Sequence, residues 1–215
     1  MNVAKKDLLL YAITDRRFEK TRTIYEQVEE ALQGQITMLQ LREKEISDEQ
    51  FLEEANVMKK ICDRYSVPLI INDNVKVAMA CHAAGVHVGQ SDRPVKMVRE
   101  ELGDEKIIGV SAQTVAEAVE AEKNGADYLG VGAVFATKSK ADADHVSLDT
   151  LKEITAAVSI PVAAIGGITA ENMVELKDTK IAGAAIITAI FGATDIKKEC
   201  RKLGRMAKTF WEEEQ

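Results

Sequence analysis

Short apolar segments alternate with longer amphipathic segments along the chain. Each apolar segment has four to eight residues and is hydrophobic at nearly every position, as expected for strands covered on both faces. This pattern predicts eight strands, at residues 8–14, 36–42, 68–72, 86–89, 106–111, 127–134, 161–166 and 183–190. The amphipathic segments have helical spacing and predict eight helices, at residues 21–33, 47–65, 75–84, 94–102, 114–125, 147–158, 169–179 and 195–212.

The strict alternation of strands and helices indicates the class of fold. Strands joined by helical connections run parallel, and eight such units favour an α/β fold, a (β/α)8 TIM barrel. An open, doubly wound sheet is the alternative, but no GxGxxG motif follows the first strand, which weakens it. No linker, low-complexity tract or shift in composition divides the chain, so we predict a single domain over residues 1–215.

Composition and charge narrow the classes of function. Hydrophobic residues make up 46% and charged residues 29% of the chain, an ordinary balance for a globular protein. The net charge of −7 argues against binding of nucleic acid along the whole chain, but it allows a local basic pocket for a small anion. No segment approaches the roughly 20 apolar residues of a membrane span, and no signal peptide is recognisable. We therefore expect a cytoplasmic protein.

The three cysteines do not indicate a metal site or a disulfide framework. Cys62, Cys81 and Cys200 are far apart in the sequence, and none stands in a CxxC or similar spacing. We expect buried or free thiols in a reducing compartment.

Polar and charged residues cluster just beyond the predicted strands. In a (β/α)8 barrel the active site forms at the carboxyl ends of the strands, so these residues are expected to share one site. The candidates are Gln40, Arg42, Lys44, Asn72, Asp73, His87, Gln90, Asp92, Ser111, Thr137, Ser139, Lys140, Gly166, Gly167 and Thr188.

The residue types at these positions indicate binding of a diphosphate together with a metal ion. Arg42, Lys44 and Lys140 supply three cations, and Asp73 and Asp92 supply two carboxylates on adjacent strands. Mg²⁺ is commonly held by one or two carboxylates together with phosphate oxygens and water. Lysine and arginine then neutralise the remaining phosphate charge.

The segment IGGIT, residues 165–169, suggests a second anion site. Its glycines allow backbone N–H groups to approach a phosphate, and a predicted helix follows directly. Barrels of this class often bind phosphate after the seventh and eighth strands. The pocket is therefore predicted to hold two phosphorylated small molecules at once.

Each of these signals also has a simpler explanation. Residues 42–44 could be a solvated charged turn, Asp73 could cap the helix that follows it, and Asp92 could stabilise an Asx turn. The glycine pair at 166–167 could form an ordinary turn. His87 is more simply a packed residue than a catalyst, because no carboxylate or nucleophile is visibly paired with it.

Several of these segments together resemble the thiamine phosphate synthases, a family that is also similar to the thiazole tautomerases. The resemblance extends from about Tyr11 to Lys208. It is specific because independent loops agree. The matching segments are QLREK (40–44), IIND (70–73), GVHVGQSD (85–92), GVSAQT (109–114), ADYLGVGAVFATKSK (126–140), IPVAAIGGIT (160–169) and GAAIITAI (183–190).

The resemblance implies an Mg²⁺-dependent transferase with a (β/α)8 fold. Such an enzyme joins 4-amino-2-methyl-5-hydroxymethylpyrimidine diphosphate to a thiazole phosphate and releases diphosphate, which departs before the new bond forms. The residues implied to bind the pyrimidine diphosphate and assist its departure are Gln40, Arg42, Lys44, Asn72, Ser111 and Lys140. Asp73 and Asp92 are implied to hold Mg²⁺. The residues implied to hold the thiazole phosphate are Thr137, Ser139, Gly167, Ile187 and Thr188.

The chain departs from the family pattern without losing a charge or an implied metal ligand. Ala136 replaces a usual proline, Ser139 a usual threonine, Gln113 a usual histidine, and Gln35 a usual glycine. Two alternative functions remain open. One is a thiazole tautomerase, which would need no diphosphate or Mg²⁺ site, and the other is a non-catalytic binder of thiamine intermediates. The sequence does not indicate the oligomeric state, and it is compatible with a homo-oligomer.

Overall fold

The computed structural model describes residues 3–136 and 145–212, and these form a closed parallel barrel. Neighbouring strands in the chain are neighbours in the sheet, and the eighth strand pairs with the first, so that Tyr11 lies opposite Ala185. The predicted (β/α)8 fold is confirmed and the open sheet is excluded. The strands are β1 (Leu10–Ile13), β2 (Met38–Leu41), β3 (Leu69–Asn72), β4 (Gly85–Val88), β5 (Ile107–Ala112), β6 (Tyr128–Val131), β7 (Val162–Ile165) and β8 (Gly183–Ile186).

Helices surround this barrel. They are α1 (Ile24–Gln33), α2 (Asp48–Arg64), α3 (Val75–Ala80), α4 (Val95–Leu102), α5 (Val115–Lys123), α6 (Leu148–Ala157), α7 (Thr188–Phe191) and α8 (Ile196–Ala207). Short 3₁₀ segments lie at Lys5–Leu8, Arg16–Phe18 and Met173–Thr179, and a π-helical turn follows α8 at Lys208–Glu212. In the described part of the chain, no helix combines the length and apolar character needed to cross a membrane.

Helix starts follow the local sequence chemistry. Ser47 begins α2 with a capping box, in which its hydroxyl accepts from the Gln50 N–H and the Gln50 side chain accepts from the Ser47 N–H. Thr23 and Thr114 cap α1 and α5 in the same way. Such boxes satisfy backbone N–H groups that a helix leaves unpaired at its first turn. They explain why the sequence located these starts well.

Two predicted elements differ in type from the observed ones, and two others, the helix predicted over 75–84 and the strand predicted over 127–134, end earlier, at Ala80 and Val131. The strand predicted over 183–190 is wrong beyond Ile186, because the chain turns at Ile187 and forms the short helix α7. The apolar run continues only because Ile190 and Phe191 are themselves buried. A short apolar run does not distinguish a strand from a buried helix. The helix predicted over 169–179 is a 3₁₀ segment that begins at Met173.

The barrel interior is small and contains two buried tyrosines. Tyr11 and Tyr128 pack edge to face, with ring centroids 5.9 Å apart, among apolar residues that include Met38 and Ile70. Tyr128 fits because its neighbour on β5 is Gly109. A Cβ atom at position 109 would lie 2.1 Å from Cζ of Tyr128. The absence of a side chain at Gly109 therefore gives the tyrosine its space.

We predict that Gly109→Ala destabilises the protein by about 1–3 kcal/mol, because the added methyl overpacks the interior against Tyr128. The matched control is Gly204→Ala in α8, where the added Cβ would meet only ordinary contact, at 3.7 Å from Leu10 Cδ2. That variant should gain about 0.5–1 kcal/mol, since glycine inside a helix is unfavourable. Urea unfolding of the two variants measures both changes. Equal stability of Gly109→Ala and the parent would contradict this account of the interior.

The cysteines are free and buried, as the sequence indicated. Burial raises the pKa of both Cys62 and Cys200 to about 12, and it also raises the pKa of Cys81. We therefore predict very slow reaction with Ellman's reagent in the folded protein at pH 8, because the thiolate is the reactive species. All three thiols should react promptly in denaturant. Fast modification of any thiol in the native state would contradict the prediction.

Candidate active site

The predicted site residues of the described chain gather at the carboxyl ends of the strands. Gln40 lies on β2, Asn72 ends β3, His87 lies on β4 and Ser111 on β5. Gln40 and Asn72 are buried at 2% and 8% exposure, so their side chains lie within the barrel mouth instead of on the outer surface. Thr137, Ser139 and Lys140 lie outside the described residues.

The loop after β2 presents two cations and buries the acid between them. Arg42 is half-buried and Lys44 is exposed, whereas the side chain of Glu43 is only 3% exposed. The Arg16 guanidinium donates from Nε to Glu43 Oε2 at 3.0 Å and from its NH2 nitrogen to Glu54 at 2.6 Å. A solvated charged turn therefore does not describe Glu43.

Burial raises the pKa of Glu43, and the hydrogen bond from Arg16 partly opposes that effect. Among the described residues, Glu43 Oε1 is buried without a hydrogen-bond partner. Neither the burial of Glu43 nor its pairing with Arg16 was predicted from the sequence. The available signal was the position of Glu43 between two cations that are candidates for binding phosphate. An acid at such a position would repel the phosphate unless another residue of the protein neutralised it.

The loop is also fixed through its backbone. The Arg42 N–H donates to Thr14 Oγ1 at 2.9 Å, and the Thr14 N–H donates to the carbonyl of Gln40 at 3.0 Å. Burial opposes ionisation of Asp15, but hydrogen bonds from Arg17 and the charge of Arg42 hold the pKa of Asp15 below its usual value. Arg42 therefore leaves the strand in a defined direction.

Asp73 lies beside the Lys44 side chain. Its Oδ2 accepts hydrogen bonds from Lys44 Nζ and from Asn72 Nδ2, each at 2.5 Å. Asn74, not Asp73, caps α3, by accepting from the Val77 N–H at 3.0 Å. The capping explanation for Asp73 is therefore wrong. Asp73 also has a positive φ of 61°, a strained conformation for a residue other than glycine.

Asp92 lies close to Asp73 across the end of β4. Burial raises the pKa of Asp92, and the negative charge of Asp73 raises it further. Asp92 Oδ2 accepts from the Gly89 N–H at 2.7 Å, three residues back along the sequence. This bond holds the loop after β4 together, but it is not the Asx turn of the simpler explanation, because the residue two positions after Asp92 is Pro94, which has no N–H to donate. That bond fixes the carboxylate in place. It is compatible with a further role for the carboxylate as a ligand.

The two carboxylates fit a magnesium ion better than a metal held by protein ligands alone. No group of three or more His, Cys, Asp or Glu side chains that could hold a metal occurs within residues 3–136 and 145–212. Asp73 and Asp92 instead offer two hard oxygen ligands, the number that Mg²⁺ takes when substrate phosphates complete its shell. The Lys44 ammonium already places a positive charge on Asp73. For a metal ion to bind Asp73, the Lys44 side chain would have to turn away from it, and its 50% exposure allows that movement.

A chain of hydrogen bonds crosses the barrel interior beneath the site. Gln40 Nε2 donates to the Tyr11 hydroxyl at 2.6 Å, and that hydroxyl lies 2.8 Å from the hydroxyl of Tyr128. Tyr128 in turn lies 2.9 Å from Nδ1 of His87, whose Nε2 lies 3.0 Å from Ser111 Oγ. Burial raises the pKa of both tyrosines, so both are neutral. His87 is therefore a packed, hydrogen-bonded residue, as expected.

Neither tyrosine of this hydrogen-bonded series was among the candidates predicted from the sequence. Tyr11 and Tyr128 each stand inside an apolar strand. Their hydroxyl groups were the available signal, because a buried hydroxyl needs a hydrogen-bond partner. The sequence could not indicate that the partner of each tyrosine is the other one.

The far side of the barrel mouth is formed by the glycine pair and the turn after β8. Gly166 and Gly167 have φ angles of 103° and 65°, which favour glycine. Asn172 Nδ2 donates to the Gly167 carbonyl at 2.9 Å, so this turn is well fixed. Ile187 is half-buried and Thr188 is exposed. The turn alone accounts for both glycines, and the phosphate site expected here stays a prediction.

Comparison with known proteins assigns the chain to a family. The model of the family described as thiamine monophosphate synthase matches residues 10–190, a segment that contains all eight strands. The chain belongs to the thiamine monophosphate synthase family. This confirms the family resemblance found in the motifs.

Individual members of the thiamine monophosphate synthase family cover nearly the whole chain. The thiamine-phosphate synthase of Ruminiclostridium cellulolyticum is 52% identical over 200 residues, covering 93% of this chain and 95% of its own length. That of Clostridium tetani is 50% identical, covering 92% and 94%. The solved structure of thiamine phosphate pyrophosphorylase from Pyrococcus furiosus is 38% identical, covers 96% of this chain and 98% of its own, and has a TM-score of 0.89.

We predict that Asp92→Asn stabilises the ligand-free protein slightly at pH 7. The amide retains an oxygen for the Gly89 N–H and removes the charge that burial and Asp73 disfavour. A carboxyl group whose pKa is raised on folding costs stability once pH rises through that pKa, so the gain should vanish in acid. It should stay below about 1 kcal/mol, because Asp92 is an exposed residue whose carboxyl group is only partly enclosed, so that water screens much of the repulsion.

The melting temperature measured between pH 3 and pH 8 checks this prediction. Asp149→Asn is the matched control, since it removes the same charge from the exposed first turn of α6 and should be neutral or slightly destabilising. A loss of stability in Asp92→Asn at pH 7 would contradict the proposed repulsion between the two carboxylates.

Proposed function

We propose that this protein is a thiamine-phosphate synthase. It would join 4-amino-2-methyl-5-hydroxymethylpyrimidine diphosphate to 4-methyl-5-(2-phosphoethyl)thiazole, or its carboxylated form, and release diphosphate. The observation that carries the proposal is the grouping of Lys44, Asn72, Asp73 and Asp92 beside the loop after β2. A protein that bound thiazole phosphate alone would need neither the carboxylate pair nor its neighbouring cations.

The diphosphate is assigned to the side of the mouth formed by β2, β3 and β4. Asp73 and Asp92 would hold Mg²⁺, which when bound neutralises charge on the departing diphosphate. Lys44 has a side chain that is 50% exposed, so it can turn from Asp73 to a phosphate oxygen. Arg42 can bind two oxygens at once. Lys140 is proposed to complete this group of cations from outside the described residues.

The pyrimidine ring is assigned to the centre of the mouth. Gln40, Asn72 and Ser111 come from three different strands and offer hydrogen-bonding groups above a closed interior, in which a hydrogen-bonded layer lies over apolar residues. Such a floor excludes water from beneath the reacting carbon. The thiazole phosphate would lie on the opposite side, against Gly167, Ile187 and Thr188, with Thr137 and Ser139 contributing from outside the described residues. The two substrates would then meet over the ring site.

The reaction requires charge stabilisation and alignment more than a nucleophilic side chain. The bond between the pyrimidine methylene carbon and the diphosphate oxygen breaks, and its electron pair leaves with the diphosphate. The thiazole nitrogen then supplies the pair that forms the new carbon–nitrogen bond. Arg42, Lys44 and Lys140 would stabilise the developing negative charge, and the fixed mouth would align the two rings. We further propose a cytoplasmic location.

Release of diphosphate by the purified protein tests the function. We expect release only when pyrimidine diphosphate, thiazole phosphate and Mg²⁺ are all present, and none when any one is omitted. Asp92→Asn should lower the rate at limiting Mg²⁺ by at least about 100-fold, since loss of a direct ligand exceeds the usual effect of its supporting residues. Asp149→Asn, on the outer surface, should retain the parent rate.

Other outcomes point to the alternatives. Absence of release, with thiazole phosphate still raising the melting temperature, would replace the synthase with a tautomerase or a non-catalytic binder. Full activity of Asp92→Asn at limiting Mg²⁺ would overturn the metal assignment while leaving the reaction itself in place.

A further inference from the structure

We propose that Tyr11, Tyr128 and His87 are positioning residues, which fix the direction of hydrogen bonding at Ser111 and couple it to Gln40 through the barrel interior. The inference rests on the proposed function, because its two ends are residues assigned to the pyrimidine ring. The hydrogen-bonded chain connects Gln40, Tyr11, Tyr128, His87 and Ser111 in that order, and each of its four hydrogen bonds is 2.6–3.0 Å long.

Counting protons gives the chain one direction. Gln40 donates an amide N–H to the Tyr11 oxygen, so the single proton of Tyr11 is left for the oxygen of Tyr128. The Tyr128 proton then goes to His87 Nδ1. Neutral His87 therefore carries its proton on Nε2 and donates it to Ser111 Oγ. The Ser111 proton remains for an acceptor in the mouth.

The hydrogen bonds would run in the opposite direction only if Gln40 presented its amide oxygen to Tyr11 instead of its amide N–H. If its amide oxygen faced Tyr11, every bond in the chain would reverse, and Ser111 would present an acceptor to the mouth instead of a donor. The orientation of one amide on β2 therefore sets the character of a hydroxyl on β5. The two intervening tyrosines transmit the choice because each has a single proton to donate.

The interior is shaped to admit this chain. Gly109 provides space for Tyr128, and a Cβ atom at position 130 would lie 3.0 Å from Cε1 of His87. A pair of phenylalanines would fill the same volume without bringing two hydroxyls into an apolar environment, where unpaired polar groups are unfavourable. The chain is satisfied only because each polar group lies next to another. Both of its ends open into the proposed substrate site.

This direction matches one pattern of substrate groups. With its N–H directed to Tyr11, Gln40 offers its amide oxygen as an acceptor, while Ser111 offers a donor. An aminopyrimidine has the complementary pair, because its exocyclic amino group donates and its ring nitrogen accepts. The 4-oxo analogue has the reverse pair, a carbonyl beside a ring N–H. The direction of these hydrogen bonds should therefore give the 4-amino compound a higher kcat/KM than the 4-oxo compound.

The test is the ratio of kcat/KM for the 4-amino and 4-oxo pyrimidine diphosphates, measured with thiazole phosphate and Mg²⁺. Tyr128→Phe and Tyr11→Phe should each reduce the parent ratio by roughly tenfold, the factor that one neutral hydrogen bond supplies. The double variant should lose no more than either single variant, because both interrupt the same chain. Tyr65→Phe is the matched control, since its hydroxyl bonds Glu29 outside the barrel, and its ratio should equal that of the parent.

A merely structural role predicts another result. The Tyr→Phe variants would then lose rate equally on both substrates, and the unchanged ratio would overturn the proposal. Failure of the parent protein to use the amino substrate would instead contradict the proposed function. Binding of Mg²⁺ with inorganic diphosphate should be unchanged in both variants, because neither tyrosine side chain reaches the carboxylates. His87 meets Asp73 only through its backbone carbonyl, which accepts from the Asp73 N–H at 2.8 Å and is not altered by either substitution.

The tautomer of His87 can be measured in the parent protein, so this second test does not depend on whether a variant folds. Nitrogen-15 NMR of the imidazole groups reports which ring nitrogen carries the proton, and the protein has three histidines. Buried His87 should show a protonated Nε2 and an unprotonated Nδ1. The other tautomer would overturn the direction of the chain.

Discussion

The pairing of β8 with β1 is the constraint on which the rest of the structure depends. Closure of the sheet turns eight separate strand ends into one rim, so that residues 40 and 111, far apart in the chain, both lie at the same narrow mouth. An open sheet with the same strand order would keep Lys44, Asp73 and Asp92 on neighbouring strands, but it would leave residues 40 and 111 three strands apart along its edge. Closure also creates an interior that water cannot fill, and every polar group placed there must find its partner within the protein.

In the interior, each buried polar side chain is hydrogen-bonded to the next, from Gln40 through the two tyrosines and His87 to Ser111. Small barrels ordinarily fill their interior with branched aliphatic residues, and the lower part of this one, around Met38, Ile70 and Ile107, follows that rule. The upper part does not. There the tyrosines and His87 form a layer between the apolar floor and the mouth, and glycines on β5 and β6 provide their space. Stability and ligand recognition thus depend on the same few side chains.

The sequence predicted the barrel because its signals were local. Apolar runs of strand length and capping boxes such as that of Ser47 depend on residues a few positions apart. The local pattern gave a wrong prediction after Ile186, because the buried short helix α7 has the same run of apolar residues as a strand. The tyrosine pair and the Arg16–Glu43 bond were missed for the opposite reason. They join residues 117 and 27 positions apart, and no local pattern reveals such contacts.

The inward course of Glu43 fixes the length of the loop after β2. Burial alternates along residues 42–44, because Glu43 turns inward toward Arg16 whereas Arg42 is half-buried and Lys44 is exposed. Insertion or deletion of a single residue between positions 42 and 44 would reverse that alternation. It would bury a cation against Arg16 and present an acid to the incoming diphosphate. The three residues therefore form a unit that tolerates substitution more readily than any change in spacing, and this is how a motif of fixed length arises from one buried carboxylate.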